Sequence, residues 1–175
     1  VHYCALCDSY FYKGKIVAIV GGADTALREA DMLSGIASKV YIIYRGEKLR
    51  AEKENVKKIE GKKNVEVITS NNVSSVGGDK FVTKVILEKE YKGSKELIVD
   101  GVFVAAGHTP LSDLAKSIKV ELNANGEIII DREAKTNVEG VFAAGDVANT
   151  RFKQAITGVA EGVTAAYSAY EWLKK

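Results

Sequence analysis

The sequence predicts an α/β fold with a parallel sheet, on three observations. Residues 15–20 and 40–44 are short apolar runs rich in β-branched side chains, as in strands buried on both faces. Between them, Ala26, Leu27, Ala30 and Leu33 recur at helical spacing among charges, with Gly35 as the stop. The first run opens directly into Gly21-Gly22-Ala23-Asp24-Thr25-Ala26. Strand, glycine turn, helix and strand thus follow in the order of a Rossmann-like dinucleotide-binding unit.

The later elements extend this unit. A helix is expected over residues 51–59 and a strand over 65–69. Residues 81–88 alternate apolar and polar, an antiparallel strand insertion entered through a turn at Gly77-Gly78-Asp79. Residues 96–106 end in an apolar strand at 102–106, and Gly107-His108-Thr109-Pro110 breaks the pattern. A domain boundary is placed there, giving domains of residues 1–108 and 109–175. The second is expected to hold a short helix at 111–117, strands at 127–130 and 140–144, and a closing helix over 152–173. Ala155, Val159, Val163, Ala166 and Tyr170 mark the apolar face of that last helix.

Composition narrows the function. The 175 residues are 46% hydrophobic and 27% charged, enough apolar side chains for a core. The net charge of +2, with basic residues dispersed among acids, gives no nucleic-acid footprint. No apolar run reaches the roughly 18 residues of a membrane-spanning helix. No secretory leader precedes Val1, and two cysteines are too few for a secreted disulfide framework, so the cytoplasm is the expected compartment. Chain ends usually fray, which makes the first residues an unexpected place for chemistry.

Yet both cysteines lie there, in Cys4-Ala5-Leu6-Cys7-Asp8. Thiols spaced by two residues form an exchangeable disulfide, and the adjacent acid can move the protons that exchange requires. Two other readings stay open. A structural disulfide closing so short a loop would constrain little of the unfolded chain. A zinc site would need about four ligands, and only His2 and His108 are further candidates of the usual kind.

The glycine turn is the place for a pyrophosphate, on backbone amides and the positive end of the helix. Gly21 allows the tight turn, and Ala26 lets helix and strand approach. Ala23 stands where backbone must come closest to phosphate. A plain α/β crossover is the alternative. About 20 residues further on, NAD sites place an acid. Here the second strand ends in Arg45, followed by Lys48 and Arg50, with Glu47 as the nearby acid. Guanidinium groups suit the 2′-phosphate of NADP by charge and geometry; a solvated basic turn is the alternative.

With these residues placed, the chain resembles the low-molecular-weight thioredoxin reductases, essentially from end to end. The redox motif is Cys4-Ala5-Leu6-Cys7-Asp8, followed by the aromatic stretch Tyr10-Phe11-Tyr12-Lys13-Gly14-Lys15. The family's Gly-Gly-Gly-Asp-Ser-Ala turn is Gly21-Gly22-Ala23-Asp24-Thr25-Ala26. Its His-Arg-Arg-x-x-x-Arg clamp is Tyr44-Arg45-Gly46-Glu47-Lys48-Leu49-Arg50. The segment Val102 to Pro110 is similar to the family's return strand. The flavin signature is Gly140-Val141-Phe142-Ala143-Ala144-Gly145-Asp146-Val147 with Lys153-Gln154-Ala155.

The resemblance implies an NADPH-binding domain over 1–108 carrying the CxxC, and over 109–175 the C-terminal piece of an incomplete FAD-binding domain. It implies that Cys7 receives electrons from FAD, Cys4 attacks the disulfide of thioredoxin or a similar small redox protein, and Asp8 shuttles the proton. Arg45 and Arg50 would hold the 2′-phosphate, with Gly21, Gly22, Asp24, Thr25 and Ala26 at the pyrophosphate. Gly145, Asp146, Lys153, Gln154 and Ala155 would meet FAD. Ser9 replaces the usual glycine after Asp8. Ala23 and Gly46 replace a turn glycine and a clamp arginine, which predicts weakened or relaxed NADPH use. No FAD-binding half with its own GxGxxG turn precedes Cys4. The chain is therefore expected to work as a homodimer or with a separate FAD-binding half. A dinucleotide-binding or regulatory module without turnover, and a flavin-independent dithiol carrier, are the alternatives.

Overall fold

A computed structural model describes residues 1–174. The chain divides into two compact units, Val1–Gly107 and a second from His108 onward. In the first, β1 (Ile16–Val20), β2 (Lys39–Ile43), β3 (Val65–Ile68) and β7 (Gly101–Val104) form a sheet in the order β3-β2-β1-β7, with every pair parallel. Side chains alternate across this sheet, and both faces are covered. Val17, Ile19, Val40, Ile42 and Phe103 face α2 (Asp24–Ser34) and α3 (Lys53–Glu60), whose Leu27, Ala30, Leu33 and Ile59 complete that core. Ala18, Ile43, Ile68 and Val102 point the other way, against Val85, Leu87 and Val99.

Val85 and Leu87 belong to the antiparallel insertion, β4 (Val73–Gly78), β5 (Val82–Tyr91) and β6 (Ser94–Ile98). Its turn lies one step later than the sequence suggests. Gly77 and Gly78 end β4, paired with Lys84 and Val82, and the chain reverses beyond them. Glu66 on β3 ties the two sheets together. It meets Lys39 at 2.6 Å and also bonds Tyr91 and Lys92 at the β5–β6 turn.

The Lys39 bond first, then those of Lys92 and Tyr91, lower the pKa of Glu66 to about 2. A depressed carboxylate contributes stability that is present above its unfolded value and lost as pH falls through the folded one. Urea midpoints of the wild type are expected to drop between about pH 4.5 and pH 2; Glu66→Gln should be less stable at pH 7 and flatter through that window.

The start of the chain does not fray. His2 forms a parallel bridge with Phe103, its N–H donating to Val102 O and its carbonyl accepting from Val104 N, both at 2.8 Å. This adds a fifth extended segment beside β7. A short α1 (Ala5–Asp8) and a 3₁₀ turn (Ser9–Tyr12) then lead into β1.

The second unit is less regular than expected. It holds α4 (Asp113–Ser117) and α5 (Ala155–Leu173). Where strands were expected at 127–130 and 140–144, single bridges join Ile128 to Leu122 and Ala148, and Phe142 to Lys135. Neither segment has a continuous extended neighbour among the described residues. The face of α5 is also reversed. Val159, Val163 and Tyr170 share a stripe, but they are 62%, 67% and 53% exposed. The side toward its own unit carries small and polar residues: Ser168 is buried and donates to Glu133 O, and Gly158 lies against Gly145. A Cβ on Gly158 would come within 3.3 Å of the Gly145 Cα.

Candidate redox centre and nucleotide pocket

Cys4 and Cys7 are disulfide-bonded, with 5.4 Å between their Cα atoms. Cys4 is the N-cap of α1, and its Sγ accepts the Cys7 N–H at 3.2 Å. That bond stabilises negative charge on the Cys4 sulfur once the pair is reduced. Asp8, four residues on, donates its N–H to Cys4 O. Its carboxylate is held by His2, whose Nδ1 is 2.8 Å from Oδ2, and His2 Nε2 is 2.7 Å from the Tyr12 hydroxyl. Burial first, then Asp8 and Asp100, raise the pKa of Tyr12. Beneath α1, Glu29 Oε1 accepts the Ala5 N–H, and burial raises the pKa of that carboxyl.

In the same unit, a cavity of about 370 Å³ opens at the end of β1. Gly21, Gly22, Ala23 and Thr25 line one wall, Tyr44, Arg45 and Arg50 another, and Ala105 to Gly107 the floor. The turn and the basic segment are joined directly. Ala23 bridges Arg50, whose N–H donates to Gly22 O at 2.7 Å. This brings Arg50 to the start of α2, an 11-residue helix with no side-chain cap on its N-terminus, and Arg45 lines the same cavity. Gly21 is required by close approach. Its φ is +152°, and a Cβ would overlap the Ala105 carbonyl oxygen and stand 2.9 Å from its carbon.

Two expected cofactor residues face elsewhere. Asp24 Oδ1 accepts from Asn55 Nδ2 at 2.7 Å and Glu52 N at 2.9 Å, in that order the main causes of its lowered pKa. Asp24 thus fastens α2 to α3. Ala26 is fully buried and would be met at 3.1 Å by a Cβ on Gly21, so it sets the helix–strand distance. Tyr44 stands where the clamp histidine was aligned. Its ring fills the space over Gly22 and Gly46, and a Cβ on either would overlap it.

In the second unit, Gly145, Asp146, Lys153, Gln154 and Ala155 gather at the start of α5. Lys153 Nζ donates to the carbonyls of Asp146 and Ala148 at 2.7 Å and pairs with Glu127 at 2.9 Å. It therefore holds the Gly145–Asp146 turn from within. Bonds from Asn123 first, then Lys153, lower the pKa of Glu127. Gln154 is the N-cap of α5 and Ala155 its first residue; Gly145, at φ +81°, donates its N–H to Glu161.

A disulfide and a glycine-turn pocket within one unit agree with the family model that matches residues 1–162, described as pyridine nucleotide-disulphide oxidoreductase. The chain belongs to the pyridine nucleotide-disulphide oxidoreductases. Within that family it is thioredoxin reductase-like. It is 42% identical to a thioredoxin reductase of Coxiella burnetii over 182 residues, covering 97% of this chain and 56% of that protein. Two solved thioredoxin reductases share the fold of this pyridine nucleotide-disulphide oxidoreductase. That of Streptococcus pyogenes has a TM-score of 0.88 at 31% identity, over 98% of this chain and 56% of its own. That of Giardia duodenalis has a TM-score of 0.85 at 36% identity, over 99% and 58%. The chain thus spans a little over half the length of these relatives.

Sequence reasoning aligned Tyr44 with the clamp but did not see its ring over Gly22 and Gly46, and it did not bring His2 and Tyr12 to Asp8 or Glu29 to α1. His2 and Tyr12 meet Asp8 only because β7 captures the start of the chain, and no spacing rule signals that.

Proposed function

We propose that this chain is the dithiol and nucleotide portion of a thioredoxin reductase-like enzyme. It would pass electrons from NADPH, by way of FAD, to Cys4–Cys7 and on to thioredoxin or a similar protein disulfide. The observation that carries this reading is one compact unit holding the Cys4–Cys7 disulfide, Asp8 and a phosphate-ready pocket with two arginines.

The donor set fits a dinucleotide phosphate. Backbone amides at Gly22 to Thr25 and the start of α2 suit the pyrophosphate, and Arg45 and Arg50 suit a 2′-phosphate. The turn at Gly145–Asp146 and the backbone of Gln154 and Ala155 suit the polar chain of FAD. When bound, FAD would supply two-electron transfer between a hydride donor and a disulfide. Cys7 is read as the sulfur on the FAD side and Cys4 as the thiolate that attacks the protein disulfide. Asp8 delivers or removes the exchanged proton.

Ile156, Val159, Val163, Tyr167, Tyr170 and Leu173 expose a continuous apolar stripe on α5. Monomers seldom leave such a stripe in water. It supports packing of this face against a flavin-binding half or against a second copy of the chain.

The test pairs titration with turnover. Arg45→Ala and Arg50→Ala should each weaken NADPH binding about tenfold or more, and NADH far less, because each removes a charge-assisted bond to the 2′-phosphate. With the FAD-binding half of a relative supplied, NADPH should reduce thioredoxin, and Cys4→Ser should not. Equal wild-type affinity for NADPH and NADH would sink the NADPH assignment. That outcome would support the relaxed-donor reading, which the Tyr44 ring packed over Gly46 favours.

A further inference from the structure

His2 has no part in the reading so far, yet the structure holds its ring from three directions. Nδ1 meets Asp8 Oδ2 at 2.8 Å, Nε2 meets the Tyr12 hydroxyl at 2.7 Å, and the ring stacks on Phe103 with centroids 5.2 Å apart and planes at 28°. Its backbone is pinned to β7 on both sides of Phe103. The imidazole is thus placed by the sheet rather than by the short helix that carries Asp8.

This arrangement satisfies two protonation states without moving a heavy atom. With a neutral ring, Nδ1–H donates to the Asp8 carboxylate and Nε2 accepts from the Tyr12 hydroxyl. With a second proton on the ring, Nε2–H donates to Tyr12 Oη instead. Tyr12 stays protonated in both cases, since burial, Asp8 and Asp100 all raise its pKa. The charged or titratable groups around the ring are Asp8 from α1 and Tyr12 from the 3₁₀ turn. Around Tyr12 stand Asp100 and Lys15, whose Nζ is 5.6 Å from the Tyr12 ring centroid. β7 offers only the apolar Phe103.

We propose that His2 is a positioning residue for disulfide exchange: it fixes the Asp8 carboxyl beside the cysteine pair and, with Tyr12, holds the proton that Asp8 passes to the leaving sulfur. The proposal rests on the reading of Cys4, Cys7 and Asp8 as a redox centre. In the step itself, an attacking thiolate forms a new bond to one sulfur of the pair. The Cys4–Cys7 bond breaks, and the leaving sulfur keeps the electron pair. Asp8 gives that sulfur a proton and takes one from Nδ1 of the imidazolium, which ends as the other neutral tautomer, with its remaining proton on Nε2 and donated to Tyr12 Oη. The attacking sulfur is oxidised into the mixed disulfide and the leaving sulfur is reduced.

The test is reduction of the full chain's disulfide by dithiothreitol between pH 5.5 and 8.5, read by alkylation and mass. A small dithiol needs no nucleotide, flavin or protein acceptor. A wild-type pair that reacts no faster than an unstructured peptide of the same motif would defeat the redox reading itself. The proposal is read from the ratio of wild-type to variant rates, in which the reagent's own titration cancels. His2→Ala should be about tenfold slower at the acid end of this window and should approach the wild type at its alkaline end. His2→Gln keeps an N–H for Asp8 and should recover much of the rate, with the wild-type pH inflection gone. Tyr12→Phe should keep the rate at pH 8 and shift the inflection. If His2→Ala unfolds, His2→Gln alone decides. A His2→Gln profile with the wild-type inflection, or a His2→Ala ratio that does not change with pH, overturns the proposal.

Discussion

Phe103→Ala is expected to cost the first unit about 3–5 kcal/mol, the range for deleting a fully buried aromatic side chain. Phe103 is wholly buried on β7, among the side chains of α2 and the sheet. Its ring also lies under His2 and edge-on to Tyr12, with centroids 5.2 and 5.4 Å away. The truncation therefore acts twice: it opens a cavity in the core and removes the platform that holds the imidazole. Urea unfolding of the variant checks the first effect. Faster hydrogen exchange at the amide of Val104, which His2 O accepts, checks the second. Phe103→Leu should restore most of the stability but not the stack. A variant with unchanged midpoint would mean that β7 is not the centre of this core.

Gly21→Ala is the second large effect. The added Cβ overlaps the carbonyl oxygen of Ala105, at a φ that L side chains rarely adopt. Backbone cannot rotate away as a long side chain can, so the ends of β1 and β7 must part. Overpacking of this kind costs about 1–3 kcal/mol. The displaced residues are also the wall and floor of the cavity proposed for the nucleotide. Dinucleotide affinity should fall at least tenfold, about 1.4 kcal/mol, at temperatures where the variant is still folded. Calorimetric titration with NADPH beside a thermal melt separates the two losses. The same substitution at Gly93, outside the pocket, makes the control, since no heavy atom lies within 4 Å of a Cβ there, although its φ of +85° carries its own local strain.

Much of this was legible in the chain because local rules govern it. Apolar runs and helical spacing located β1, α2, β2, α3, β3 and β7, and an alternating run located β5, all within a few residues. The Cys-x-x-Cys-Asp motif needed no tertiary information to be seen, because it is five consecutive residues. Gly21 and Ala26 could be ranked as the close-approach pair from the turn alone, and they do face each other.

The sequence by itself determined the α/β class, the glycine turn between β1 and α2, the Cys-x-x-Cys pair and the basic segment after β2. Each follows from side-chain periodicity or from groups adjacent along the chain. Only the tertiary structure decided which contacts those groups make. His2 became a partner of Asp8 because β7, about a hundred residues away, supplies the hydrogen bonds that tether it. Asp24 turned from the phosphate site to Asn55 because α3 folds back over the start of α2. Period placed Val159, Val163 and Tyr170 on one stripe of α5 but could not say which way the stripe faces. Close approach to Gly145 calls for Gly158 on the inner side, while Val159, Val163 and Tyr170 turn outward. Long-range backbone pairing and excluded volume made these choices, and neither is written in the spacing of residues along the chain.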